Sequence, residues 1–315
     1  MRGLTQLEQQ GVALCDRLSG TSTYVEVVAG IFELLRSVQG LESDGIDRAA
    51  IIEMLAAPRQ MVRRSPFFAR LQDWPRGYPG DFETVEHLLR ARNLAARGTI
   101  AFHIEQYGLT SPAARQHHNK VRRQGELILD LCGRGAPDPK PAARVLSLAC
   151  GSSPDLASVQ SWVRPDAQFT LVDSDPDALR YSRDRLQAIE SQCRFVEGNV
   201  LRLRPLSAGM GPFDLVVVGG LFDYLRGRTI ARILRLLWSE LLAPGGKLFF
   251  TNISPDNPDR IWIEYLAEWV LIARDEPSLM SLCRDAGIDE RHCKCERDAT
   301  ASAILVEIDR PEEPA

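Results

Sequence analysis

Between residues 144 and 250 the chain alternates short apolar runs with helical stretches, and this alternation restricts its fold more than any other feature. The runs fall at 144–149, 169–172, 193–196, 213–218 and 246–250. Of the stretches between them, 226–242 is the plainest helix, with Ile230, Ile233, Leu234, Leu237 and Leu241 on one face. Short apolar strands alternating with helices predict an α/β domain whose parallel sheet is covered on both faces. Two further runs, 292–295 and 302–308, predict a terminal pair of strands.

The first 133 residues carry a helical period instead. Val25, Val28, Ile31, Leu34, Leu35 and Val38 make one stripe across 24–38. Phe82, Val85, Leu88 and Leu89 make another across 81–96, which Asp81 is placed to cap. A third helix is predicted over 112–131, opened by Pro112. Pro66, Pro75, Gly77, Pro79 and Gly80 predict an ordered loop or a series of tight turns over 65–80, and 133–141, GRGAPDPKP, reads as a linker. The expected organisation is an all-helical cap or substrate domain at 1–140 and a sheet domain at 141–315.

Charge and cysteine usage narrow the partners. The 38 Lys and Arg against 42 Asp and Glu leave a net charge of −4, so no global positive field draws the chain to nucleic acid or acidic lipid. The basic run 120–123, with Arg115, lacks interleaved aromatic residues and reads as a solvated helix face. No apolar run approaches the roughly 18 residues that cross a bilayer, and the first residues lack the apolar core of a signal peptide. Seven scattered cysteines fit reduced thiols, so a cytoplasmic protein is expected. Cys293-Lys294-Cys295 beside His292 offers one ligand pair where a structural zinc wants two, and no metal is expected.

In a sheet of this kind ligands sit beyond the carboxyl ends of the strands. After the first run, Ala149-Cys150-Gly151-Ser152-Ser153-Pro154 is a small-residue turn into a helix, where backbone amides can approach a ligand closely. Asp173 follows the second run, about twenty residues on, where a carboxylate can accept both hydroxyl hydrogens of a ribose. The pair favours a nucleoside-containing cofactor. Only the middle one of Ala149, Gly151 and Ser153 is glycine, which fits a sulfonium amino acid better than a pyrophosphate. Asn199 and Val200 follow the third run, suited to an adenine amino group and ring, and Gly219-Gly220 through Tyr224 follow the fourth.

The series VLSLACGSSPDL, FTLVDSDPDAL, CRFVEGNV, FDLVVVGGLFDYL and LLAPGGKLFF, over about 141–255, is similar in order and spacing to the motifs of class I S-adenosylmethionine-dependent methyltransferases. The resemblance implies a Rossmann-like, seven-stranded, mostly parallel sheet with S-adenosylmethionine as cofactor. It implies that Ala149, Cys150 and Gly151 hold the methionine part, Asp173 and Ser174 the ribose, and Asn199 and Val200 the adenine, with Gly219, Gly220 and Asp81 completing the cofactor set. Two departures stand out. Ser147 replaces the usual acid of the first motif, so another carboxylate or carbonyl must hold the methionine ammonium, and Asn199 replaces the usual aspartate. Arg76-Gly-Tyr-Pro-Gly-Asp81, Gly220-Leu-Phe-Asp-Tyr-Leu225 and Asn252 through Arg260, with Glu264, Tyr265 and Trp269, also resemble a bacterial subgroup. That subgroup is linked to 3-hydroxy fatty acid methyl esters, to natural-product pathways and to azetidine-2-carboxylate synthesis.

Methyl transfer is an in-line displacement at an already activated carbon, so the protein mainly orients and excludes water. The catalytic candidates are Tyr78, Asn119, Tyr224 and Asn252. Each has a plainer role open to it: Tyr78 as a loop anchor, Asp81 as a cap only, Arg260 and Glu264 as an i,i+4 pair, and Trp262, Tyr265 and Trp269 as core. The reactions expected are methylation of a small-molecule carboxylate, hydroxyl or carbon in secondary metabolism, or intramolecular cyclisation of the cofactor to azetidine-2-carboxylate and methylthioadenosine. A non-catalytic scaffold is disfavoured by the nearly intact motifs, and a homodimer stays open as the assembly.

Overall fold

The computed structural model describes residues 2–18, 22–136, 142–202 and 209–312. The chain divides into two compact units, one of Met1–His117 with Asn257–Leu271 and one of His118–Asp256 with Ile272–Ala315.

The second unit is built on a seven-stranded sheet of order β3-β2-β1-β4-β5-β7-β6. The strands are β1 (Arg144–Leu148), β2 (Gln168–Asp173), β3 (Cys193–Glu197), β4 (Phe213–Val218), β5 (Leu242–Ile253), β6 (Cys293–Arg297) and β7 (Ala303–Asp309). Strands β1 to β5 are parallel and β7 runs antiparallel to both β5 and β6. Alternate residues of each strand face opposite sides. Val145, Leu215, Val217 and Phe249 pack with Leu127, Ile128 and Cys132 of the helix Pro112–Cys132. Leu146, Val216, Val218 and Phe250 pack with Ile230, Ile233 and Leu234 of the helix Gly227–Leu236. Strand β5 begins at Leu242, four residues before the apolar run predicted it, across a register shift between Phe213 and Leu215.

In the first unit, Thr23 and Glu26 form a reciprocal capping box at the start of Tyr24–Ser43. The predicted loop over 65–80 is corrected. Its first half is the helix Pro66–Asp73, because Ser65 accepts the Phe68 N–H, Pro66 occupies the first turn, and Phe67, Phe68 and Leu71 are buried on one face. The helix ends at Trp74, whose φ is 44°. The helix predicted across 81–96 stops at Arg90, where Ala91 turns left-handed with φ 47°. Trp262, Tyr265 and Trp269 are core, at 2%, 1% and 5% exposure. Arg260 pairs with Glu264, as its spacing allows, and also with Glu42.

The domain boundary expected at 140 differs from the observed division at 117, and 257–271 crosses into the first unit. The reason is apolar. Leu127, Ile128 and Cys132 complete the core of the sheet unit, while Ile261, Trp262 and Ile263 complete that of the helical one. Most of the predicted linker, 137–141, lies outside the described residues.

Candidate cofactor site

The strand order reverses between β1 and β4, and the crevice at such a switch point is where an open parallel sheet binds ligands. Ser147 pairs with Val217 and Leu148 with Val172, so the turns after β1, β2 and β4 are neighbours at the carboxyl edge.

After β1, Ala149, Gly151 and Ser153 all take left-handed conformations, with φ of 51°, 55° and 49°. For the two residues other than glycine this costs on the order of 1 to 3 kcal/mol each, strain that persists only where the surroundings enforce it. Those surroundings are visible. Cys150 donates its N–H to Val172 O, Ser182 Oγ donates to Gly151 O at 2.9 Å, and Gly151 N–H donates to Asp173 Oδ2 at 2.8 Å. Burial pushes the Cys150 thiol up, which makes it a packing group of the turn and no nucleophile.

Asp173, at the end of β2, also accepts Asp175 N–H through Oδ1 at 2.9 Å. It is 8% exposed, and burial pushes its carboxyl above the ordinary 3.8. Each oxygen spends one acceptor position on the backbone and keeps another, so the carboxylate fixes the turn and can still take hydroxyl hydrogens. Ser174 beside it is exposed. After β3, Asn199 Oδ1 accepts Leu201 N–H at 2.8 Å and so caps the short turn Val200–Arg202, while Val200 is buried in the core below.

After β4, Gly220 has φ 112°, and a Cβ at Gly219 would fall 2.0 Å from Gln124 Nε2. Gly220 requires glycine for its conformation, and a side chain at Gly219 would displace the Gln124 amide. Tyr224, 38% exposed, closes the turn Leu221–Tyr224. Asn252 is fully buried, and both ends of its amide are engaged: Nδ2 donates to Ile272 O at 2.9 Å and Oδ1 accepts from Arg274 at 2.7 Å. That makes it a brace of the strand end rather than a group that touches substrate. Asn119 donates to Asp298 Oδ2 at 2.8 Å and lines a polar cavity of about 370 Å³ with Arg122, Arg123 and Lys294.

Two candidates belong to the helical unit. Tyr78 is 42% exposed. Asp81, 1% exposed, caps Phe82–Arg90 by accepting the N–H groups of Glu83 and Thr84, and receives Arg70 at 2.6 Å. With its carboxylate so engaged, Asp81→Ala should destabilise the protein by about 1 to 2 kcal/mol in urea denaturation, the upper range for losing a cap. A change below a few tenths would leave the cofactor role as the better account of this residue.

Sequence reasoning missed Lys120 and Gln124, both 6% exposed. Lys120 was placed on a solvated face and Gln124 was not singled out, yet they extend the buried stripe of Leu127 and Ile128 back along the helix at four- and seven-residue spacings, which was the signal available. Among the described residues no group of three or more His, Cys, Asp or Glu is set to hold a metal.

A seven-stranded sheet of this order, with a strained turn after β1 held by an acid at the end of β2, is the class I methyltransferase fold, and its residues fit S-adenosylmethionine. Residues 145–246 match the profile of a methyltransferase domain. No curated protein matches the sequence. Among solved structures, a possible exported protein from Bordetella parapertussis is similar at 18% identity, over 98% of this chain and 96% of that one, with a TM-score of 0.59. An O-methyltransferase family protein from Burkholderia thailandensis, 18% identical, matches 99% of this chain and 96% of its own at 0.48. The N-methyltransferase NodS from Bradyrhizobium japonicum, in complex with S-adenosylhomocysteine, is 17% identical over 73% of this chain and 98% of its own at 0.44. At these identities the likeness concerns fold alone.

Proposed function

We propose that the protein is an S-adenosylmethionine-dependent methyltransferase that acts on a small molecule of secondary metabolism bearing a carboxylate, hydroxyl or activated carbon. The observation that carries this is the Asp173 carboxylate, which pins Gly151 at the switch point and keeps acceptor capacity toward the crevice. Asp173 takes the ribose hydroxyls, the left-handed turn 149–151 borders the methionine part, and Val200 with Asn199 borders the adenine. The cofactor supplies a methyl carbon already activated by the sulfonium. The chain's own residues orient the acceptor and exclude water, and a carboxylate acceptor needs no general base. Tyr224, at the end of the turn after β4, is the phenol of the sheet unit offered to the acceptor. The net charge of −4 agrees with a small acceptor rather than a nucleic acid. No helix among the described residues is long and apolar enough to cross a membrane, and the seven free cysteines suit a reducing cytoplasm. A homodimer is the assembly to look for.

The test is to incubate the purified protein with S-adenosylmethionine, alone and with panels of carboxylic acids and phenols, and to follow products by mass spectrometry. Adenosylhomocysteine that appears only with an acceptor is the expected result. Methylthioadenosine and a four-membered amino acid from the cofactor alone would replace transfer with cyclisation. Tight cofactor binding without either product would leave a binding scaffold.

A further inference from the structure

Lys120 is 6% exposed, yet among the described residues it forms neither a hydrogen bond nor an ion pair. An ammonium buried without a partner is costly. Burial drives its pKa down, and Asp223 and Asp298 oppose this only through space. Its surroundings explain why such a group is kept. A Cβ at Gly220 would lie 3.4 Å from Lys120 Nζ and 3.9 Å from Asp223 Oδ2. Asp223 is itself 5% exposed, and its Oδ1 is occupied by Ile253 N–H at 2.6 Å, which leaves Oδ2 toward the same glycine. A buried cation and a buried carboxylate thus flank Gly220 at the crevice between β1 and β4 without pairing with each other.

On the methyltransferase reading the ribose lies at Asp173 beyond β2 and the adenine at Asn199 beyond β3, and in the order β3-β2-β1-β4 this leaves the amino-acid end to lie across β1 toward β4. That end carries one anion and one cation. We propose that Lys120 binds the α-carboxylate and Asp223 the α-ammonium of the cofactor's methionine, an assignment that rests on the methyltransferase reading. Asp223 then supplies the carboxylate that β1 lacks, where Ser147 stands. Of the other buried acids in this unit, Asp298 accepts from Asn119, Thr300 and Ala303, and burial pushes the Asp155 carboxyl up against the pull of the backbone at 155 and 156.

The test compares two ligands by isothermal titration calorimetry. S-adenosylhomocysteine retains the amino-acid end and methylthioadenosine lacks it. Lys120→Met should weaken S-adenosylhomocysteine by about 10- to 100-fold, the scale for losing a hydrogen bond to a charged group, and leave methylthioadenosine within about 2-fold. Asp223→Asn, which keeps an acceptor for Ile253, should divide the ligands in the same direction. Thermal denaturation checks folding: with an unpaired buried charge removed, Lys120→Met should melt no lower than the parent. Equal losses for both ligands, or no loss for either, would overturn the assignment while leaving the methyltransferase reading intact. A parent protein that binds neither ligand would overturn that reading and the assignment with it.

Discussion

Asp173→Ala should weaken S-adenosylhomocysteine and methylthioadenosine alike, by about 1 to 3 kcal/mol each, because both ligands keep the ribose and the hydrogen bonds lost involve a charged acceptor. Equal loss is what separates this position from Lys120, whose removal should distinguish the two ligands. The structure adds a second contribution to the first. Asp173 holds the Gly151 and Asp175 N–H groups at 2.8 and 2.9 Å, so alanine also frees the left-handed turn that faces the ligand. Asp173→Asn separates the two effects: one amide oxygen survives as an acceptor, while the NH₂ group opposes whichever partner it meets. Titration calorimetry on the two variants reads both, and unchanged affinity in Asp173→Ala would remove the cofactor from this edge of the sheet.

Trp262→Ala should cost about 3 to 5 kcal/mol in urea denaturation, the range for emptying a large aromatic site in a core. Trp262 is 2% exposed, and its ring lies 5.3 Å from Phe68 and 5.9 Å from Tyr107 by centroid. Those partners sit in the first 110 residues, so the variant measures how firmly 257–271 belongs to the helical core. Trp262→Phe, which fills most of the volume, should recover much of the loss. A cost below about 1 kcal/mol for alanine would mean that the site collapses around the gap.

The strands were the most legible part of this chain. Val145-Leu-Ser-Leu148 and Leu215 through Val218 are buried on both faces, and a strand with no wet side leaves a near-continuous apolar run. Less legible was 65–80, where prolines that punctuate a loop elsewhere serve at Pro66 as the opening of a helix whose cap is Ser65. Asn252 was read as a catalytic candidate from its place at a strand end, but only its neighbours Ile272 and Arg274 reveal a fully buried amide engaged at both its nitrogen and its oxygen. Lys120 was misread for the opposite reason. A lysine beside Arg122 and Arg123 looks solvated in any linear window, and what buries it is the phase of the helix over the β4 turn.

By itself the sequence determined the class of fold and the edge proposed for the cofactor, because both follow from the period of apolar residues and from small and acidic residues at fixed offsets beyond the strands. The tertiary structure alone decided which polar groups at that edge are spent on the fold and which remain. Asn119, Asn199 and Asn252 are engaged by partners, some close in sequence and some more than a hundred residues away, while Lys120 is left buried opposite Asp223. Hydrogen-bond satisfaction is a property of what surrounds a side chain in space, and no local pattern of residues encodes it.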